Sequence, residues 1–129
     1  MSEASPSIKT LVLTIRIGAW LLVILIGVLS VVPVWARPET GAPHSFEHFA
    51  AFFVTGVAFG IGFADRFVVT AFLLVIYSGL IEVVQRFVPE RHSRLSDFII
   101  DAVAVAIGVT AAAMATRRLA ILTEHLPRP

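Results

Sequence analysis

The chain has 129 residues, 57% of them hydrophobic and only 15% charged, with a mean hydropathy of +0.90. A water-soluble domain carries about 25% charged residues, and one of this length has too small an interior to hide so much apolar surface, so an ordinary soluble fold is excluded. A formal net charge of +1 offers no basic field for nucleic acid, and the absence of cysteine excludes disulfides and thiol chemistry.

Four apolar runs follow one another. A bilayer core of about 30 Å takes about 20 helical residues to cross. Backbone groups in lipid must pair within their own segment, so each run is expected to be a helix. The first helix is expected over residues 11–35, on the run IGAWLLVILIGVLSVVPVW behind Lys9 and Arg16. Lys9, the apolar stretch and VWA before Arg37 also have the outline of a signal peptide. The apolar core is too long for one and three more spans follow, so an uncleaved helix is expected. Pro33, Pro38, Gly41 and Pro43 then interrupt the chain. The second helix is expected over 46–63 and the third over 67–88, with Ala64-Asp65-Arg66 as the turn between them. Pro89 to Arg94 form a short charged loop, and the fourth helix is expected over 95–116, with Ser96 or Ser93 as N-cap. Residues 1–129 thus read as one domain, an all-α membrane protein built as a four-transmembrane-helix bundle with short loops.

Lys and Arg in short loops orient such a bundle. Lys9, Arg16, Arg66, Arg117, Arg118 and Arg128 fall on one side, and Arg37, Arg86, Arg91 and Arg94 on the other. The excess favours termini inside and the first and third loops outside.

Against this apolar background the stretch IEVVQRFVPERHSRLSDFIID, residues 81–101, is dense in charge. Glu82 and Gln85 lie three apart and Asp97 and Asp101 four apart, so each pair shares a helix face. Glu47 and His48 open the second helix at the same end of the bundle. An ionised side chain facing lipid costs about 2.5–3.5 kcal/mol by insertion scales, so these groups are expected to turn inward. Arginine is a fitting partner because its fork holds two carboxylate oxygens at once. The expectation is an outward-opening polar cavity lined by His48, Glu82, Gln85, Arg91, Asp97 and Asp101. Gly56 and Gly60 at GxxxG spacing, and a stripe of Asp97, Asp101, Ala104, Gly108, Ala111 and Ala112, are expected to face neighbouring helices. Ser78, Ser93 and Ser96 lie in no GxSxG context. His44, His48 and His92 sit near acids but without HExxH or tight ligand spacing, so no metal and no cofactor is expected.

Three pieces, EHFAAFF with His48, IEVVQRFVPER with Glu82, Gln85, Pro89 and Arg91, and SDFIIDAVAVAIG with Asp97 and Gly108, occur in this order across the apolar spans. In them the chain resembles the VanZ-like family of small bacterial membrane proteins, over residues 33–108. Members often carry an Asp-Lys pair shortly before the histidine, where this chain has Pro43-His44 or Ser45-Phe46, and an Asn and a Gly where it has Asp101 and Ala104. The resemblance implies a multi-pass protein of the bacterial inner membrane with a role in the envelope. The family's namesake is associated with low-level resistance to teicoplanin, a lipid-tailed glycopeptide. On this footing the expected partners are the bilayer and the head group of an envelope lipid or lipophilic glycopeptide. Arg91 would pair with a phosphate or carboxylate, Glu82, Gln85 and Asp97 would orient Arg91, and His48 would hydrogen-bond the ligand. Two further readings stay open. One is an acid–base enzyme acting on an envelope lipid through His48, Glu82 and Asp97; the other is a structural subunit whose polar residues lock helices together.

Overall fold

Proline and charge punctuate an otherwise unbroken apolar chain, and the helices fall between these marks. The computed structural model describes residues 6–36, 41–89 and 93–124. Its helices are α1 (Pro6–Val31), α2 (His44–Gly62), α3 (Phe67–Gln85) and α4 (Leu95–Glu124), and the described residues contain no strand. All four helices are long and apolar enough to cross a membrane.

The ends depart from the sequence expectation for local reasons. α1 is already helical at Pro6, the first described residue, ahead of the expected start at 11. It stops at Val31 because Pro33 disfavours helical backbone at Val32, and Val34–Ala36 add only a single 3₁₀ turn. α3 closes at Gln85. Beyond it the N–H groups of Arg86, Phe87 and Val88 donate to the carbonyls of Val83, Val84 and Gln85, a tighter winding that ends at Pro89. α4 continues past 116 to Glu124, since nothing in the sequence there breaks it. Ser96 lies inside α4 rather than capping it, and the N–H groups of Asp97 and Phe98 reach the carbonyl of Arg94.

The closest packing is between α2 and α4. Contacts pair Gly56 with Val105 and Gly60 with Val109, so the two helices run in the same direction. Here the absence of side chains is a requirement. A Cβ on Gly60 would lie 2.5 Å from Val109 O, one on Gly108 2.6 Å from Phe53 O, and one on Gly56 2.9 Å from Val105 O. The inner face of α4 carries Asp97, Asp101, Ala104, Val105, Gly108, Val109 and Ala113; Ala111, expected on this stripe, is exposed. Phe52, Phe59, Leu74, Ala104, Val105, Val109 and Ala19 form the apolar core.

α1 and α3 run the opposite way to α2. Hydrogen bonds fasten α1 to its neighbours: Arg16 Nε donates to Gly62 O (2.7 Å), and Tyr77 OH donates to Val23 O (2.6 Å). Trp20 adds an edge-to-face contact with Phe59. Only Ala19 and Ser30 of α1 are fully buried, and Leu21, Ile24, Leu25 and Val28 face outward, as do Phe72, Leu73, Ile76 and Leu80 of α3. These side chains form the lipid-facing belt. At the end carrying the α2–α3 turn, Arg117 Nη2 donates to Asp65 O (3.2 Å), and the Arg117 guanidinium covers the Phe67 ring.

The glycine contact yields a first prediction. Gly60→Val or Gly108→Val forces α2 and α4 apart and lowers stability by about 1–3 kcal/mol. Gly18→Val, where a Cβ would meet nothing within 4 Å, leaves it unchanged. Thermal unfolding in detergent distinguishes them; an equal shift for Gly18→Val would refute the assignment.

Candidate functional site

The polar residues of the sequence gather at the end of the bundle where α2 and α4 begin and α3 ends. The parallel pairing of α2 with α4 sets their geometry. His44 and His48 are one turn apart on α2, Asp97 and Asp101 one turn apart on α4, and the two pairs meet rung by rung. In the outer rung, His44 Nε2 stands 3.6 Å from Asp97 Oδ2, with the histidine side chain half exposed. In the inner rung, His48 Nδ1 lies 3.2 Å from both Asp101 carboxylate oxygens, and both side chains are buried. The His44 and His48 rings touch edge to face, with centroids 4.4 Å apart.

α3 brings Glu82 into the same place. Its side chain is buried, and Ser93 Oγ donates to Oε2 at 2.9 Å. Oε1 is buried and has no hydrogen-bond partner among the described residues. A ligand atom from each of His48, Glu82 and Asp101 falls within 4.8 Å of the others. Gln85, one turn further along α3, is buried as well. It borders a small cavity of about 80 Å³ together with Ile26, Leu29 and Ser30 of α1 and Glu47, His48, Ala51 and Phe52 of α2. Pockets that enclose drug-sized ligands run to about 300–1,000 Å³, so this one admits a small polar group and not a whole sugar or peptide.

Of the six residues expected at the site, five are placed here: His48, Glu82, Gln85, Asp97 and Asp101. They do not form one ring. The carboxylate in contact with His48 is that of Asp101, and Asp97 faces His44 instead, so a His48–Glu82–Asp97 grouping is replaced by His48–Glu82–Asp101. Arg91, the sixth, lies outside the described residues, as do Arg37 and His92. Arg86 and Arg94 are exposed. His44 was missed as a partner for Asp97. The signal was present: a histidine pair at i, i+4 on one helix matches an aspartate pair at i, i+4 on another. Whether they meet depends on the rotation of both helices, which spacing does not reveal. The tight donor grouping likewise has no trace in sequence spacing, because its members come from three helices.

The family model described as VanZ/LLP1 matches residues 9–116. The chain belongs to this family. It is thus a VanZ-like multi-pass membrane protein, and the matched span takes in both rungs, Glu82 and the glycine contact. Comparison with curated proteins and with solved structures returned no match.

The two rungs differ in what their loss should cost. Asp101→Ala strands buried His48 and is expected to destabilise the VanZ-like bundle by about 3 kcal/mol or more. His44→Ala, on the half-exposed rung, should cost less than about 1 kcal/mol. Unfolding in mixed micelles measures both, and equal losses would contradict the inner rung's structural weight.

Proposed function

We propose that this VanZ-like protein binds the polar head group of an envelope amphiphile at the end of the bundle carrying His48, Glu82, Gln85 and Asp101. The observation that carries this reading is the cavity beside His48, whose lining is itself amphiphilic. Ile26, Leu29, Ala51 and Phe52 offer an apolar wall, and Ser30, Glu47, His48 and Gln85 offer hydrogen-bonding groups. Its volume suits one phosphate or carboxylate group of a larger molecule whose chain stays in lipid. The family resemblance supplies the class of ligand, a lipid-linked envelope component or a lipophilic glycopeptide. Arg91 is assigned to the ligand's anionic group on that resemblance alone.

Inner-membrane residence with cytoplasmic termini is part of the same proposal. It rests on the larger number of basic residues at the end holding Lys9, Arg16, Arg66, Arg117 and Arg118. A second reading, acid–base catalysis on an envelope lipid, is favoured by one feature. A carboxylate holds the His48 ring by one nitrogen, as in sites where histidine exchanges protons.

Native mass spectrometry of the detergent-purified protein tests the binding reading. The wild type is expected to retain anionic lipids, and Gln85→Leu and Arg91→Ala to lose most of them. Identical lipid retention by all three would overturn it, and conversion of an added lipid-linked substrate would favour the enzyme. Orientation has its own assay, made clean by the absence of native cysteine. In intact spheroplasts, an impermeant maleimide should label Ser45→Cys and leave Asp65→Cys untouched; the opposite pattern inverts the topology.

A further inference from the structure

The grouping of His48, Glu82 and Asp101 has a chemistry that head-group binding does not use. The three side chains come from α2, α3 and α4, and their relative exposures are 8%, 5% and 0%. Their donor atoms lie within 4.8 Å of one another. Donors on a common tetrahedral ion at about 2.0–2.2 Å stand roughly 3.5 Å apart, a distance His48 Nδ1 and the Asp101 oxygens already meet at 3.2 Å. Glu82 needs to approach by about an ångström, within reach of a side-chain rotation.

A second observation points the same way. Glu82 Oε1 is a buried carboxylate oxygen that no described residue hydrogen-bonds, while Oε2 on the same group is held by Ser93. An orphaned polar atom of this kind is costly in an apolar interior and calls for a partner. The carboxylate is thus oriented by one oxygen and left open at the other, the arrangement of a ligand steadied from behind. Two carboxylates with a neutral imidazole carry two negative charges, which a divalent cation balances.

We propose that His48, Glu82 and Asp101 bind a divalent first-row transition-metal ion. One imidazole nitrogen with two carboxylates suits zinc or manganese, whereas magnesium and calcium prefer sites made of oxygen alone. Three protein ligands leave at least one position for a water or a ligand oxygen, as open zinc sites do. His48, one of the three, also borders the cavity. The inference uses the residues of the proposed binding site but does not depend on a lipid ligand.

The test uses the full chain, purified in detergent through a tag that does not bind metal. Elemental analysis is expected to find about one zinc or manganese ion per chain. Chelation should remove it and lower the melting temperature, and micromolar Zn²⁺ or Mn²⁺ should restore the melt where Mg²⁺ does not. Glu82→Gln, which keeps the side chain's shape, should weaken Zn²⁺ binding by at least tenfold, and Ser93→Ala by about tenfold through loss of the orienting contact. Gly18→Val, remote from the site, should bind as the wild type does. A wild-type protein that is metal-free and unmoved by chelator or added Zn²⁺ would overturn the proposal, whatever the variants do. So would equal affinity in Glu82→Gln, which would leave Glu82 Oε1 to a proton or to Arg91. Lipid retention is read in the mass spectra of the same preparations, so loss of one reading leaves the other standing.

Discussion

Backbone-to-backbone contact between α2 and α4 governs the arrangement of everything else in this bundle. Lipid tails are as apolar as leucine, so the hydrophobic effect supplies no force that draws helices together inside a bilayer. Close van der Waals contact has to do it. Gly56, Gly60 and Gly108 permit an approach that one methyl group would prevent. That approach fixes the vertical register of the two helices, and the register aligns His44 with Asp97 and His48 with Asp101. The packing contact and the polar site are therefore two ends of one interface. A change at Gly60, about three turns of α2 away from His48, would be felt at Asp101.

The polar end is tolerable because its members largely satisfy one another, Glu82 Oε1 excepted. A charge stranded among acyl chains costs several kcal/mol; Asp101, fully buried, has its carboxylate against His48, and Glu82 accepts from Ser93. The remaining helices shield the group and complete the core, to which α1 contributes Ala19 and α3 contributes Leu74. α3 carries Glu82 and Gln85 on its inner face and leucine, isoleucine and phenylalanine on its outer one. α1 closes one side, held chiefly by Arg16 at the carbonyl end of α2 and by Tyr77 from α3.

The spans were legible in the sequence because each apolar run has the length of a membrane-crossing helix, about twice that of a barrel strand, and within one segment only a helix pairs all its backbone groups. Their ends were less so. Apolar pattern alone carried α1 to Trp35, whereas the backbone obeys Pro33; it stopped α4 at Thr116, where hydropathy falls, although helical hydrogen bonding continues to Glu124. For the site, a carboxylate inside an apolar run was signal enough to single out Glu82 and Asp101, and common depth placed His48 beside them. The pairing was out of reach. Asp97 and Asp101 share one face and differ by one turn, and only the register set by the glycines decides which of them meets His48. Ala111 shows the same limit, since a stripe drawn at ideal spacing misses by one position which small residues the partner helix covers.

The common direction of α2 and α4 has an electrostatic corollary. Every helix carries a partial positive charge of about half a unit at its N-terminal end, from peptide dipoles and unbonded N–H groups. Two neighbours running the same way bring those ends to one rim, where antiparallel neighbours would have offset them. Glu47 and Asp97 occupy the first turns of α2 and α4. The macrodipoles thus lend the acidic rim a diffuse counter-charge that belongs to no side chain, and a reversed α4 would instead have set its negative pole beside Glu82.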